Sequence, residues 1–417
     1  MPAPQKAPSR TRNPVNDLRG ATRLVVEATR GVTDLVEAMH AAIAGGPRVL
    51  GRPLEAPARL ATRPVYGSIR RLTRLVGAGL DVALAGLAPL LAGRPPGPRR
   101  EALLSALNGV LGDRLAETGN PLAIEMCLRH RGHPLQLERR ALRRALPRAG
   151  GRVLVLVHGS SLDHRSWSRS GRDRGAAMAR DLGFTPVHLR YNTGLHISTN
   201  GRAFAALLER LVLAWPRPIE ELVLVAHSMG GLVSRSACRS GELAGHAWRR
   251  KLRALVCLGS PHHGAPLERG AQWIDLLLGV SRYSAPLARL GRIRSAGVTD
   301  MRFGYVLDEH WEGRDRFAHA RDDRTPLPLP AGVGCYAIAA TRAPRGAAKH
   351  LGDGLVPVDS ALGRHRRPEL MLGFPEAHRW IAHGTGHFDL LGRPEVYAKI
   401  RSWLSLQPGT PRRSGRP

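Results

Sequence analysis

The stretch from Glu221 to Gly231 constrains this chain more than any other. The apolar, β-branched run Leu222-Val223-Leu224-Val225 suits a strand covered on both faces. Leu232 to Cys238 is compatible with a helix. Between the two lies Ala226-His227-Ser228-Met229-Gly230-Gly231. Strand, sharp turn and helix in that order make a G-x-S-x-G-like pentad meaningful, because the turn lifts a strained serine above the sheet. Small residues two before and two after the serine let strand and helix approach each other. Ala226 stands where glycine is commoner and adds only one methyl group. The pentad does not make a site by itself, so the partners have to come from the rest of the chain.

The surrounding pattern is that of alternating strands and helices. Val153 to Val157 is a continuous apolar run, and shorter runs follow at Thr185–Leu189, Ala254–Leu258, Cys335–Ala339 and Leu370–Leu372. Helical stretches separate most of them, at Gly175–Asp181, Gly201–Trp215 and Leu232–Ser240. Ala123–Leu128 and Pro134–Glu138 flank Arg131-Gly132 and predict an opening β-hairpin. Together these imply an α/β chain with a mostly parallel sheet and helices on both faces.

Residues 16–119 read differently. Leu18, Val25, Val32 and Met39 recur every seven residues, with Ala21, Ala28, Leu35 and Ala42 as a second row, so one apolar stripe runs along a helix. Gly45-Gly46-Pro47 ends it. Further helical stretches span about 65–91 and 100–117, separated by Pro95-Pro96-Gly97-Pro98. The stripe is Ala-rich and lacks aromatic anchors, which favours packing against protein over insertion into a membrane surface. The expected organisation is a disordered tail at 1–15, an N-terminal helical region at 16–119, a catalytic domain at 120–406 with a lid or cap insertion at 266–330, and a disordered tail at 407–417.

A net charge of +30 invites a nucleic-acid reading. Only four lysines occur, and the arginine excess is spread along the chain without a recognition motif. No specific nucleic-acid partner is therefore expected, and weak peripheral attraction to an anionic membrane surface fits the charge better. The N-terminus lacks the apolar core of a signal peptide, so the expected location is cytoplasmic, with the inner membrane as the peripheral option. Four scattered cysteines without a C-x-x-C pair read as buried small hydrophobes.

Ser228 is the candidate nucleophile, and its hydroxyl needs a neighbouring base. On a scaffold of this kind the partners follow in the order serine, acid, histidine. Asp353 lies between Gly352 and Gly354, which free the backbone to aim a carboxylate, and Asp359 is the second choice. His387 precedes the terminal helix, with His383 second and His378 third. Val153–Val157 runs into His158-Gly159-Ser160-Ser161, where a backbone N–H can face a developing oxyanion. Ser160 and Met229 are the expected oxyanion donors, with Ser161 as alternative to Ser160. His158 and His227 are expected to be structural, and the loop that carries the pair His262-His263 is expected to shape the pocket wall. No carboxylate or cysteine stands at metal-ligand spacing from the His pair, so neither a metal nor a cofactor is expected.

These motifs resemble those of the α/β-hydrolase superfamily, in particular bacterial lipases and esterases related to GPI inositol-deacylases. The resemblance rests on His158-Gly159, Ala226 to Gly231, Gly259-Ser260-Pro261-His262-His263-Gly264, Gly352 to Pro357 and Gly386-His387, and spans about residues 120–406. It implies an α/β-hydrolase fold and hydrolysis of carboxylic esters, small or lipid, through an acyl-enzyme. An acyltransferase or thioesterase on the same fold, or a membrane-associated non-catalytic protein, are the alternatives it leaves open.

Overall fold

The apolar runs of the sequence become the centre of one eight-stranded sheet in the computed structural model. The structure describes residues 18–23, 26, 98–169, 172–265, 295–316, 322–346 and 352–405. Both tails, most of the heptad stripe, the helical stretch at 65–91 and residues 266–294 of the insertion lie outside the described residues.

From residue 98 on, the α-helices among the described residues are α1 (Pro98–Glu117), α2 (Arg139–Ala145), α3 (Arg174–Asp181), α4 (Ile197–Ala214), α5 (Met229–Leu243), α6 (Ala296–Asp300), α7 (Val358–Ala361) and α8 (Pro394–Ser405). The strands are β1 (Cys127–His130), β2 (His133–Pro134), β3 (Arg152–Val157), β4 (Ser168–Arg169), β5 (Arg172–Asp173), β6 (Thr185–Arg190), β7 (Glu221–His227), β8 (Leu252–Leu258), β9 (Gly334–Ala340) and β10 (Arg379–Ala382). The sheet order is β10-β9-β8-β7-β3-β6-β1-β2, and β4 and β5 form a separate small pair. All neighbours from β6 to β10 are parallel, while β1 runs antiparallel to both β6 and β2.

Residues of one strand divide cleanly between two cores. Val153, Val155 and Val157 join Leu222, Leu224 and Ala226 on one face, while Leu154 and Leu156 join Val223 and Val225 on the other. This is the period-two alternation of a pleated strand applied to a sheet with no wet face. Each such fully buried aliphatic side chain contributes about 1.5–3 kcal/mol of transfer free energy.

Parallel register brings the C-terminal ends of the central strands level. Val157 is opposite Ala226, Ala226 opposite Cys257, Leu258 opposite Ile338, and Ala340 opposite Ala382. Loops leaving those ends therefore cluster at one rim of the sheet, where open α/β folds carry their sites.

Two expectations need correction. Leu370–Leu372 is not a strand: Pro368–Leu370 is one turn of 3-10 helix, with Leu370 and Leu372 buried. Pro368, Gly373 and Pro375 around it forbid a regular ladder. The final strand is instead Arg379–Ala382, a four-residue edge strand that is mostly half-buried. The opening hairpin is also shorter than anticipated, since Ala123 to Met126 lies outside β1.

The described residues fall into two compact units. In the first, Asn120 Nδ2 donates to the Gly20 carbonyl at 3.0 Å, and Asn120 Oδ1 accepts from the Leu122 N–H. The second holds the sheet and residues 99–116, which is most of α1. Within it α1 packs closely, because two of its residues have no side chain. A Cβ on Gly109 would lie 1.9 Å from Ser161 Oγ, and one on Gly112 would lie 1.9 Å from Asn192 Oδ1. Asn192 Nδ2 donates to the Gly112 carbonyl at 2.7 Å, and Ser295 Oγ donates to the Gly109 carbonyl at 2.6 Å.

Candidate active site

Ser228 sits between the last residue of β7 and the first of α5, at φ 53° and ψ −125°. Left-handed φ costs a non-glycine residue about 1–2 kcal/mol, and such strain persists only where its surroundings enforce it. Here the Ser228 N–H donates to the Leu258 carbonyl at 2.8 Å, and the Gly231 N–H donates back to the Ser228 carbonyl at 3.0 Å. The glycines permit the crossing. A Cβ on Gly230 would lie 2.7 Å from the His158 carbonyl oxygen, and one on Gly159 would lie 2.9 Å from Ser228 Cβ.

Asp353 and His387 come from separate loops and meet. Asp353 Oδ2 accepts from His387 Nδ1 at 2.7 Å. Its other oxygen accepts from the N–H groups of Leu355 and Val356 at 2.9 and 2.8 Å. A carboxylate can only accept, so His387 Nδ1 is the donor of this bond. Gly352 and Gly354 have φ of 95° and 101°, the freedom that this turn requires. Loop holds loop as well: the His387 N–H donates to the Asp353 carbonyl at 3.2 Å, and so does Arg342 Nε.

All three residues are buried, Asp353 completely and Ser228 and His387 at 3 % exposure. The Ser228 hydroxyl makes no hydrogen bond among the described residues. Its neighbourhood is nonetheless shared with His387 through His227, whose Nε2 donates to the His387 carbonyl at 3.1 Å. Gly259 closes the floor. A Cβ there would lie 3.3 Å from both Asp353 Oδ2 and His387 Cε1.

The other candidates are elsewhere. Asp359 is exposed in the first turn of α7 and pairs with Arg364. His378 bonds the Cys335 carbonyl near the start of β9, at the opposite end of the strands. His383 is half-buried, its carbonyl taken by Thr385 Oγ1.

Met229 is the first residue of α5, where an N–H has no acceptor within its own helix. Ser160 lies three residues beyond the end of β3 and is buried. The next residue differs: the Ser161 N–H donates to Thr193 Oγ1 at 3.1 Å, with Ser161 held at φ 59°. Its donor is therefore taken by Thr193, on the loop after β6. Thr193 and Gly109, which brace this loop, are not evident as site residues from sequence. The available signal is the glycine spacing in α1, since glycine inside a helix costs about 1 kcal/mol and marks a close approach.

The structural histidines have definite partners. His158 stacks on Tyr191 at 4.5 Å, and burial lowers its pKa to about 4. His262 Nδ1 and His263 Nδ1 face the Arg235 and Arg324 guanidinium groups at 3.4 and 2.8 Å. Among the described residues no group of three or more His, Cys, Asp or Glu side chains could hold a metal ion, and no helix is long and apolar enough to cross a membrane.

Residues 206–325 match the family model described as PGAP1-like alpha/beta domain. No match is found among curated proteins. Among solved structures the chain is similar to a Bacillus licheniformis lipase in its mature form, at 19% identity over 61% of this chain and 91% of that one, with a TM-score of 0.39. It is similar to a Pyrococcus furiosus esterase at 12% identity, over 61% and 83% of the two chains, with a TM-score of 0.35. A lipase-esterase related protein of Clostridium acetobutylicum is 11% identical over 61% and 94%, with a TM-score of 0.32. The mostly parallel eight-stranded sheet with its antiparallel opening strands and flanking helices is an α/β-hydrolase fold, and residues 206–325 are similar to the PGAP1-like alpha/beta domain.

Proposed function

We propose that the protein is a serine hydrolase of carboxylic esters, small or lipid, with Ser228, His387 and Asp353 as its triad. The observation that carries this reading is the 2.7 Å contact between His387 Nδ1 and Asp353 Oδ2, beside a serine in strained backbone at the end of β7. In the proposed reaction His387 Nε2 takes the Ser228 hydroxyl proton as Oγ attacks the ester carbonyl. Asp353 stabilises the resulting imidazolium and holds its orientation. The N–H groups of Met229 and Ser160 face the oxyanion. His387 then protonates the departing alcohol, and a water repeats the sequence to release the acid and restore Ser228.

The wall of the site reaches into the insertion. A Cβ on Gly297 of α6 would lie 3.3 Å from Met229 Cε and 2.2 Å from the Thr193 carbonyl. We read α6, the described part of the insertion that meets Met229, on this basis as wall for the acyl portion of the substrate.

The test is hydrolysis of p-nitrophenyl esters from acetate to palmitate by the wild type and Ser228→Ala. Loss of turnover in the variant, with fluorophosphonate labelling of Ser228 in the wild type, is the expected result. Activity that survives in Ser228→Ala, or an unreactive Ser228, would overturn the assignment.

A further inference from the structure

A helix of 5 residues does not hold itself in place, and α6 is such a helix. The first N–H groups of any helix have no acceptor within it. A serine at the N-cap ordinarily accepts from one of them. Ser295 stands at the N-cap of α6 but makes no such bond. Its hydroxyl is spent on the Gly109 carbonyl of α1, to which it donates at 2.6 Å. Two other elements take over its task. The Ala296 N–H donates to Asp113 Oδ2 at 2.9 Å, and the Gly297 N–H donates to the Gly194 carbonyl at 3.0 Å.

Asp113 belongs to α1, which precedes the sheet in sequence, and it is only 7 % exposed. A buried carboxylate is costly unless it is paired and hydrogen-bonded. Here the oxygen that accepts from Ala296 also accepts from Arg316 Nη1 at 2.5 Å. One carboxylate therefore gathers both ends of residues 295–316, a described segment of the insertion. The approach of α1 is close because glycines line it. A Cβ on Gly194 would lie 2.3 Å from the Asn108 carbonyl oxygen and 2.6 Å from the Gly112 nitrogen. The far end of α6 is held by a second carboxylate. Asp300 Oδ2 accepts from the Ile197 N–H at 2.8 Å, at the start of α4. Between these two anchors lies Gly297, the residue set against Met229.

We propose that Asp113 is a positioning residue for substrate selection: it pins α6 against Met229 and thereby sets how well the site holds a long acyl chain. This deepens the reading of α6 as acyl wall and rests on the ester hydrolysis assigned to Ser228. A two-carbon acyl group stays at the reacting centre, whereas a longer chain extends along the wall and gains from each methylene it buries there. Loss of the anchor should therefore be felt in proportion to chain length.

The test uses the full-length protein as wild type, Asp113→Ala and Asp113→Asn, with p-nitrophenyl acetate and p-nitrophenyl octanoate as substrates. Asp113→Ala should lower kcat/KM for the octanoate about tenfold, mainly through KM, and for the acetate less than about twofold. Asp113→Asn, whose side-chain oxygen still accepts from the Ala296 N–H, should lie between the wild type and Asp113→Ala. Equal losses on the two esters, as a general loosening of the fold would give, overturn the proposal, and so does an octanoate value unchanged in Asp113→Ala. Hydrogen exchange gives a second answer without turnover. The amides of residues 296–301 should exchange about tenfold faster in Asp113→Ala while those of β7 keep the wild-type rate. Unchanged protection of α6 overturns the proposal. A wild type that cleaves neither ester and carries an unreactive Ser228 overturns instead the hydrolase reading and the acyl role with it, and the exchange rates alone then decide whether Asp113 holds α6.

Discussion

His227 donates from Nε2 to the main-chain carbonyl of His387 at 3.1 Å, and the two rings lie 4.8 Å apart. A carbonyl oxygen accepts only, so this bond fixes the His227 proton on Nε2. The residue that precedes the proposed nucleophile thereby holds the backbone of the proposed base. We expect His227→Phe, which keeps a ring and removes the donor, to lower kcat about tenfold, the equivalent of one neutral hydrogen bond at about 1.4 kcal/mol. KM should change less than twofold, and His227→Gln, which can still donate, should recover much of the loss. Steady-state kinetics on a single ester checks this, and equal defects in the Phe and Gln variants would refute a positioning role.

Asp353 accepts three hydrogen bonds while fully buried. An amide at this position brings an N–H₂ toward donors. If its oxygen stays with Leu355 and Val356, its nitrogen faces His387 Nδ1 and selects the wrong tautomer. Asp353→Asn is expected to reduce kcat by about 10³–10⁴-fold. It should also cost about 1–3 kcal/mol of stability through mismatched buried groups. Activity measurements together with chemical denaturation separate the two effects. A variant with near-normal turnover would remove Asp353 from the mechanism.

The elbow is legible in the sequence because its logic is local: an apolar run, a small-residue turn and a helix lie within about twenty consecutive residues. The placement of Asp353 between glycines is legible for the same reason, since a residue flanked by Gly352 and Gly354 stands where the backbone can take φ values closed to other residues. Tertiary choices are not. Pro368, Gly373 and Pro375 argue against a ladder at the Leu370 triplet, but the run Trp380-Ile381-Ala382 of the final strand is no longer than that triplet, so only packing decides which of the two joins the sheet. The contact of α1 with the Ser161 loop joins residues 52 positions apart, and its only local trace is a helix glycine.

That helix glycine supports a prediction in which two effects oppose each other. Helix propensity alone favours Gly109→Ala by about 1 kcal/mol. A Cβ at Gly109, however, would lie 1.9 Å from Ser161 Oγ, 2.9 Å from its Cβ and 3.1 Å from its Cα. Rotating the hydroxyl relieves only the first of these contacts. The loop or the helix must therefore move, and overpacking of this kind costs about 1–3 kcal/mol. Gly109→Ala should accordingly lower the melting temperature and reduce kcat, because Ser161 is joined to the proposed oxyanion donor Ser160. A more stable and fully active Gly109→Ala protein would show that the contact yields freely.

Acid stability follows from three histidines packed around β6. Burial lowers His158 and His188 to about 4 and His164 to about 3, against an ordinary value of 6.5. His164 also faces Arg129, its Nε2 3.5 Å from the guanidinium, which opposes protonation further. In each case the folded pKa lies below the unfolded one, so the unfolded chain binds more protons throughout the interval between them. Stability from these groups is complete above pH 6.5, declines as pH falls from 6.5 toward 4, and levels off once the folded sites also protonate. Thermal melts between pH 7.5 and 4 should show the melting temperature falling mainly below pH 6.5. His188→Gln removes one of the three titrating groups and should make the decline shallower, even if the variant is less stable at pH 7.5. A decline as steep in His188→Gln as in the wild type would assign the acid sensitivity to carboxylates, which are set to titrate at lower pH.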